Sequence, residues 1–233
     1  MGVLINAGAI AVGGLIGLLL KNILNEKVVK VIFQALGLAN LSVGILDLIS
    51  GINSLKSISF KYGTLFLILV LVIGGAIGAL IKINDGLNKF GAFLQSKLAK
   101  SEDSKLGKGF VEATLITCVG AMVVYGSIQS GLGNHNTLFI KSISDAIVCM
   151  MLATKYGVGP ILSAIPILFI QGAFYFIGIF FSSYLLGTAF YYLLTAVGGV
   201  IVMGIGINLL EIKEIKTADL LPAIPLCLLA FLF

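Results

Sequence analysis

The sequence contains few charged residues, and its positive side chains are all of one type. Only 11% of the 233 residues are charged, whereas 59% are hydrophobic and the mean hydropathy is +1.13. Soluble domains carry roughly a quarter charged residues, so this composition excludes a water-soluble surface. Lysine supplies all 15 positive charges, because arginine is absent. Aromatic residues are not interleaved with these lysines, so the net charge of +5 does not indicate a nucleic-acid partner.

Cysteine and histidine are too scarce for the usual metal and disulfide chemistry. Cys118, Cys149 and Cys227 are far apart and each lies in an apolar run, which predicts buried free thiols. His135 is the single histidine, and no cysteine or carboxylate stands near it in sequence. We expect no metal and no cofactor. The chain also has no paired histidine ligands, no serine with a nearby histidine base and no intramembrane pair of carboxylates, so we predict that it is not an enzyme.

Long uncharged runs dominate the chain. From Tyr156 to Leu210 there are 55 consecutive uncharged residues, and a bilayer span needs about 20 apolar residues, so this run alone holds two helices. The predicted fold class is all-α, a polytopic transmembrane helix bundle of seven or eight spans forming a single domain over residues 1–233. The last predicted span is short and contains Pro222 and Pro225, so we expect it to be tilted, broken or only partly inserted. The predicted spans cover residues 3–20, 31–50, 62–82, 110–129, 137–155, 160–182, 188–210 and 218–233.

The lysines between the spans predict the orientation of the chain. The connections after spans 1, 3, 5 and 7 hold twelve lysines and those on the opposite side hold two. Positive charge is retained in the cytoplasm, so the N-terminus is predicted outside and the 82–108 connection inside. Within residues 83–108 an amphipathic helix and a loop are expected along the membrane surface. The apolar positions of that helix are Leu87, Phe90, Phe93, Leu94 and Leu98.

Two pairs of segments in the chain have similar sequences. "VGGLIGLLLK" at 12–21 matches "IGGAIGALIK" at 73–82, and "ALGLANLSVGI" at 35–45 is faintly echoed by "AVGGVIVMGIGI" at 196–207, in a span of opposite direction. These echoes predict internal helix-pair duplication, as in many transporters. Each strong copy carries a GxxxG pair, which favours close helix packing, or alternatively the thin wall of a pore. The paired glycines are Gly13 with Gly17 and Gly74 with Gly78.

Lys141 and Asp145 lie in a stretch that is otherwise typical of a buried span. Asp145 is about eight residues into the predicted span, roughly 12 Å deep, where a charge costs about 2.5–3.5 kcal/mol. The spacing of four places both side chains on one helix face. One interpretation is a structural latch between helices. The other is a membrane acid inside a water-filled transport pathway.

Uncharged polar residues lie near this pair or at a similar depth in other spans. Such side chains must face protein or water, so they either join helices by hydrogen bonds or replace the hydration of a small solute. We include Asn134 because the polar loop "GLGNHNT" could line an entrance. The candidate pathway residues are Lys141, Asp145, Ser142, Asn134, Gln129, Gln171, Asn40 and Asn208. For Asp47, Glu112 and Glu211 we expect interfacial ion pairs, Glu112 with Lys108 one turn earlier and Glu211 beside Lys213.

Several of these segments resemble the YqgA/YdfK-like bacterial membrane family, which is defined by a domain of unknown function (DUF554). The resemblance rests on "INAGAIAVGGLIGLLL", "TCVGAMVVYGSIQSGLGNHNTLFIKSISDA", "GVGPILSAIPILFIQG" and "GIGINLLEIKEIKTADLLPAI", and covers nearly the whole chain. A Lys-Ser pair followed three residues later by Asp recurs in the family and falls here on Lys141, Ser142 and Asp145. The family pattern has Asp where this chain has Asn134, so no carboxylate role is expected in that loop.

The expected function is a transporter of a small solute or ion, in which the Lys141–Asp145 pair couples charge to access. The alternatives are an ion channel, and a structural membrane protein in which the pair is a latch. The resemblance implies a multi-pass protein of the bacterial plasma (inner) membrane. The expected partners are the lipid bilayer, the small solute or ion, and a second copy of the chain in a homo-oligomer, with a dimer favoured by the compact size and glycine-rich faces.

Overall fold

The computed structural model of the protein describes residues 1–20, 26–58, 60, 62–86, 89, 105–118 and 121–232. Throughout these ranges the regular structure is helical and there is no strand, so the all-α prediction is confirmed. The residues predicted to form the apolar face of a surface helix, from Leu87 to Leu98, lie outside the described residues. The long helices are α1 (Gly2–Leu19), α2 (Glu26–Ser57), α3 (Gly63–Leu80), α4 (Lys105–Cys118), α5 (Ala121–Gly131), α6 (Asn136–Tyr156), α7 (Ala164–Leu185) and α8 (Ala189–Leu209).

Six helices in the described part are long and apolar enough to cross a membrane, and a bent pair makes up to seven. The bent pair is α4 with α5, whose axes differ by 62°. The predicted eighth span is broken into two 3-10 segments, Thr217–Leu220 and Cys227–Leu232, on either side of a one-turn helix α9 (Ala223–Leu226). Pro222 and Pro225 explain the breaks, because each lacks the N–H that an α-helix needs. The described residues therefore hold six candidate spans, or seven with the bent pair, where seven or eight were predicted. The last predicted span is broken, which is one of the outcomes expected for it.

The outer surface of the bundle is apolar and its interior contains polar groups. Leu19 is 83% exposed and Leu80 is 80% exposed, while Asn6 and Gln171 are fully buried. Soluble proteins show the opposite distribution, because their polar groups face water. In a bilayer, apolar side chains face lipid and polar groups must find partners inside the protein. The distribution matches the membrane environment that the composition predicts.

Helices α2 and α8 pack along a seam of glycines. Gly37 and Gly44 on α2 meet Gly206 and Gly199 on α8, and both sets repeat every seven residues. A β-carbon at Gly206 would lie 2.8 Å from the Gly37 carbonyl oxygen, and one at Gly199 would lie 2.5 Å from the Gly44 carbonyl oxygen. The order of these contacts makes the two helices antiparallel. The faint echo between residues 35–45 and 196–207 thus lies in two segments that pack against each other.

The two GGxIG copies each receive the backbone of another segment. Gly13 and Gly17 on α1 lie against the backbone of Ala146 and Met150 on α6. On α3, a β-carbon at Gly74 would lie 2.5 Å from the Ala223 nitrogen, and Gly78 lies against the Asp219 carbonyl. The repeated motif therefore serves the same packing role twice, because the missing side chain lets a neighbouring backbone approach.

The connections gather at two ends of the bundle. At the lysine-rich end, Lys30 lies 3.9 Å from Glu211 in an exposed ion pair, and the Asn84 N–H donates to Asp219 Oδ1 at 2.7 Å. The expected pairing of Glu211 with Lys213 was wrong, because Glu211 pairs with Lys30 of α2 instead. The opposite, lysine-poor end brings residues 46–54 together with 134–136 and 191–195.

Candidate functional site

The Lys141–Asp145 pair lies buried in the middle of α6. Lys141 Nζ donates to Asp145 Oδ1 at 2.9 Å, and the two residues are only 6% and 4% exposed. The spacing of four along an α-helix makes this contact possible without any change in the backbone. Asp145 is nine residues into α6, about 14 Å along its axis, so it lies near the centre of a span.

Asn6 on α1 holds the second oxygen of Asp145. Its Nδ2 group donates to Asp145 Oδ2 at 2.9 Å and to Gln171 Oε1 on α7 at 3.1 Å, so three helices meet at this point. Asn6 was missed in the sequence interpretation. The available signal was that Asn6 is the single polar side chain in the uncharged run from Met1 to Leu20.

A cavity of about 260 Å³ borders the pair, and we call it the inner cavity. It extends from Lys141 and Asp145 to Leu209 and Thr217 at the lysine-rich end. Within the described structure, the side-chain oxygens of two of its lining residues have no hydrogen-bond partner. The polar lining residues are Asn40, Lys141, Ser144, Asp145, Asn208 and Thr217. The unpaired oxygens belong to Asn40 and Ser144.

The bend between α4 and α5 lies beside the inner cavity. Ile116 from the end of α4 lines it, and so do Met122 and Val123 from the start of α5. An interrupted helix at membrane depth is tolerated where it borders protein or water rather than lipid.

The predicted pathway residues divide into two groups. Asn40 and Asn208 line the inner cavity with the charged pair, and Gln171 reaches Asp145 through Asn6. Asn208 is also a structural anchor, because it donates to the Ile215 carbonyl at 2.8 Å and accepts from the Ile215 N–H at 2.7 Å.

Three predicted residues lie away from the inner cavity. Ser142 donates to the Leu138 carbonyl at 2.7 Å and lines an apolar groove between α1 and α6. Gln129 accepts from the Thr137 hydroxyl at 2.9 Å, which joins α5 to α6. Asn134 accepts from the Asn136 N–H at 3.1 Å at the lysine-poor end. Sequence spacing alone does not separate these three from the cavity residues, because that depends on how each helix is rotated in the bundle.

A second cavity of about 390 Å³ lies at the lysine-poor end, and we call it the Asp47 vestibule. Asp47 is 6% exposed, and its Oδ2 has no hydrogen-bond partner in the described structure. The interfacial ion pair expected for Asp47 is therefore not found among the described residues. The polar lining residues of the vestibule are Asp47, Ser50, Ser54, Asn134, Asn136, Tyr191, Tyr192 and Thr195.

Tyr125 on α5 lies between the two cavities. Its ring is fully buried and packs directly on Gly198 of α8. Asp47 packs on the adjacent Gly199, where an added β-carbon would lie 3.1 Å from the Asp47 β-carbon. Met122 and Val123, on the preceding turn, line the inner cavity. The Tyr125 hydroxyl has no hydrogen-bond partner among the described atoms.

Ser130 and His135 form a close contact that the sequence interpretation missed. Ser130 Oγ lies 2.6 Å from His135 Nδ1, so the expectation that no serine has a nearby histidine was wrong. Burial and the neighbouring N-terminal amino group lower the pKa of His135, which favours the neutral imidazole at pH 7. Ser130 is only 1% exposed, and in the part of the chain that the structure describes no group of three histidine, cysteine or acidic side chains comes together. The cysteines are free and buried, as predicted.

These features define a polytopic α-helical membrane protein with a buried ion pair at the edge of a cavity that is partly lined by polar side chains. The chain belongs to the family described as "Protein of unknown function (DUF554)", whose model matches residues 1–232. It is 29% identical to the "Uncharacterized membrane protein YdfK" of Bacillus subtilis (strain 168), over 96% of this chain and 92% of that protein. It is 25% identical to the "Uncharacterized protein YqgA" of Escherichia coli (strain K12), over 98% and 94%. No solved structure matches the chain at a significant level.

Proposed function

We propose that the protein transports a small solute or ion across the membrane and that Asp145 binds the transported or coupled cation. The observation that carries the proposal is the position of Asp145. It is buried at mid-span, paired with Lys141, and also borders a cavity that extends to one end of the bundle. Charged residues inside a membrane are costly, and they commonly mark ion and substrate pathways.

The pair supports a simple exchange of charge. With Lys141 on Oδ1, the site is neutral and Asp145 needs no other cation. A proton or metal cation arriving through the inner cavity competes with the ammonium group for the carboxylate. Lys141 can withdraw because its side chain is long and flexible, whereas Asn6 and Gln171 keep Asp145 in place. The occupied and unoccupied sites thus differ in which cation balances Asp145.

The bend between α4 and α5 supports a transporter. In many secondary transporters, discontinuous helices lie beside the binding site, and internal repeats move relative to one another to change access. In this protein Ile116 and Met122, on the two sides of the bend, line the inner cavity. The repeated segments 12–21 and 73–82 pack on different neighbours, α6 and the broken C-terminal segment.

An ion channel is the second candidate. Both cavities have polar side chains in their lining, but the buried ring of Tyr125 lies between them. A continuously open pore would need this ring to move away from Gly198. The arrangement therefore supports a transporter with closed access over a permanently open channel.

Localisation and assembly are part of the proposal. The lysine distribution supports a bacterial plasma membrane protein with its N-terminus outside and the 82–108 connection in the cytoplasm. A homodimer is proposed as well, and crosslinking in intact membranes would test it.

The test is ion flux in proteoliposomes containing purified full-length protein. Entrapped dyes sensitive to pH, Na⁺ and K⁺ would report movement down imposed H⁺, Na⁺ and K⁺ gradients. Asp145→Asn preserves size but removes the charge, so it should leave assembled protein without ion-dependent flux. The matched control is Asp85→Asn, because Asp85 is exposed at the lysine-rich end.

Other outcomes would point to the alternatives. Normal flux in Asp145→Asn would contradict the coupling role. If both Asp145→Asn and Lys141→Met unfold while the double variant recovers folding and full flux, the pair is a structural latch. Flux that shows no saturation and no dependence on Asp145 would favour a channel.

A further inference from the structure

The structure assigns a second ligand site to the protein, in the Asp47 vestibule. We propose that this vestibule binds a monovalent cation, with Asp47 supplying the negative charge. Asp47 is 94% buried and lines a cavity of about 390 Å³, and its buried Oδ2 has no partner among the described residues. The ion pairs of the described chain are Lys30–Glu211 and Lys141–Asp145, and neither involves Asp47.

A carboxylate in this position needs a positive partner. Removing an ionised group from water is unfavourable unless it is paired and hydrogen-bonded. Lys56, on the same helix, lines a different pocket with Phe60 and Gly63. Rotation of α2 cannot turn Asp47 away, because Gly44 and Gly51 hold this face of the helix against α8. The charge is thus fixed in the vestibule wall.

The oxygen atoms around Asp47 favour a hard cation of low charge. Ser50 and Ser54 follow Asp47 at three and seven residues along α2 and lie on the same face. Tyr191 and Thr195, which also carry hydroxyl groups, line the vestibule from α8. Oxygen ligands suit hard metal cations, and a single carboxylate balances one positive charge rather than two. The aromatic rings of the vestibule would equally suit a small ammonium ion, which is the same monovalent chemistry.

The proposed site is distinct from the Lys141–Asp145 pair and does not depend on the proposed transport function. Asp47 is seven residues from Asn40 on α2, about 10 Å along the helix. Tyr125 and the Gly198–Gly199 segment lie between the vestibule and the inner cavity. Cation binding at Asp47 can therefore be measured without any flux.

The experiment is a thermal unfolding titration of the full chain in lipid nanodiscs, followed by helical circular dichroism. NaCl, KCl and methylammonium chloride are each titrated at constant ionic strength, with N-methyl-D-glucamine chloride as the replacement salt. A ligand that binds the folded state raises its stability in a saturable manner. We expect at least one of the three cations to do so. Asp47→Asn should raise its half-saturating concentration by about tenfold or more, and the exposed control Asp85→Asn should not.

Two further variants keep the result decisive. Ser50→Ala should shift the titration in the same direction by a smaller factor, and it tests the site if Asp47→Asn does not fold. Asp145→Asn should retain the cation response, even if its flux is lost. The proposal is overturned if no cation stabilises the wild type, if Asp47→Asn or a folded Ser50→Ala titrates like the wild type, or if the response disappears in Asp145→Asn alone.

Discussion

Asn6 Nδ2 lies 2.9 Å from Asp145 Oδ2, and this contact joins the first helix of the chain to the charged pair on α6. The same amide group donates to Gln171 on α7 at 3.1 Å. Asn6 therefore fixes the oxygen that Lys141 does not hold. It is a positioning residue, and its partners explain why a polar side chain is present in an otherwise apolar span.

Replacing Asn6 should destabilise the protein. Asn6→Leu removes the donor from Asp145 Oδ2 and Gln171 Oε1, and leaving buried acceptors unpaired costs about 1–3 kcal/mol. Denaturant titration in mixed micelles measures the free energy of unfolding. The control is Asn53→Leu, because Asn53 is exposed on α2 and should change that free energy by less than about 0.5 kcal/mol. Equal effects of the two substitutions would contradict the positioning role.

The charged pair should show strong coupling in a double-variant cycle. Lys141→Met leaves Asp145 as an unpaired buried charge, and Asp145→Asn leaves Lys141 in the same condition, so each should cost about 3–5 kcal/mol in unfolding free energy. The double variant should be at least as stable as either single variant, because no charge then remains without a partner. Additive losses measured by the same titration would show that the two side chains do not depend on each other.

The GxxxG glycines should be intolerant of large side chains. Gly17→Leu places a side chain against the Met150 carbonyl, and Gly78→Leu places one against the Asp219 carbonyl. Backbone cannot move aside as a flexible side chain can, so the yield of monodisperse protein on size-exclusion chromatography should fall severalfold. Gly8→Leu is the matched control on α1, because a β-carbon at Gly8 meets nothing within 4 Å.

A folded Gly17→Leu or Gly78→Leu protein would give a different result. If its yield is normal and its ion flux changes, the glycines lie along the transport pathway rather than in a packing interface. An unchanged yield with unchanged flux would contradict the close contacts with Met150 and Asp219.

Topology can be tested with reporter fusions. The lysine distribution predicts that a reporter inserted within residues 100–108 reads cytoplasmic, while one within 130–136 reads external. The contacts of residues 134–136 with the lysine-poor ends of α2 and α8 fit this assignment. Alkaline phosphatase and a fluorescent protein, which are active on opposite sides of the membrane, provide paired readouts. The same side for both positions would contradict the orientation.

Part of the site can be predicted from the sequence because its contacts lie within a single helix. Lys141 and Asp145 are four residues apart in a helical span, and their ion pair forms within a single helix. Gly13 and Gly17 likewise share a helix face by spacing alone. The partners of these residues are not local, however. Asn6 is 139 residues from Asp145, and only the packing of α1 on α6 brings them together.

Contacts between distant segments also explain why the prediction for Asp47 was not met. Its position near the end of a span predicted an interfacial ion pair, but the glycine seam with α8 holds it inside the vestibule. Asn40 and Ser142 show the effect for uncharged polar residues, because Asn40 lines the inner cavity beside the charged pair and Ser142 lines an apolar groove. Helix rotation and crossing decide this, and both depend on contacts between distant parts of the chain.

The sequence by itself determined the environment and the secondary structure of this protein. Uncharged apolar runs of about 20 residues or more predict helices in a bilayer, because an α-helix satisfies its backbone hydrogen bonds within the segment itself. Tertiary structure alone decided that the last segment packs on α3, that α2 and α8 meet through glycines, and that two cavities flank Tyr125. The physical reason is that hydropathy is a property of each segment, whereas a cavity exists only where several helices fail to fill the space between them.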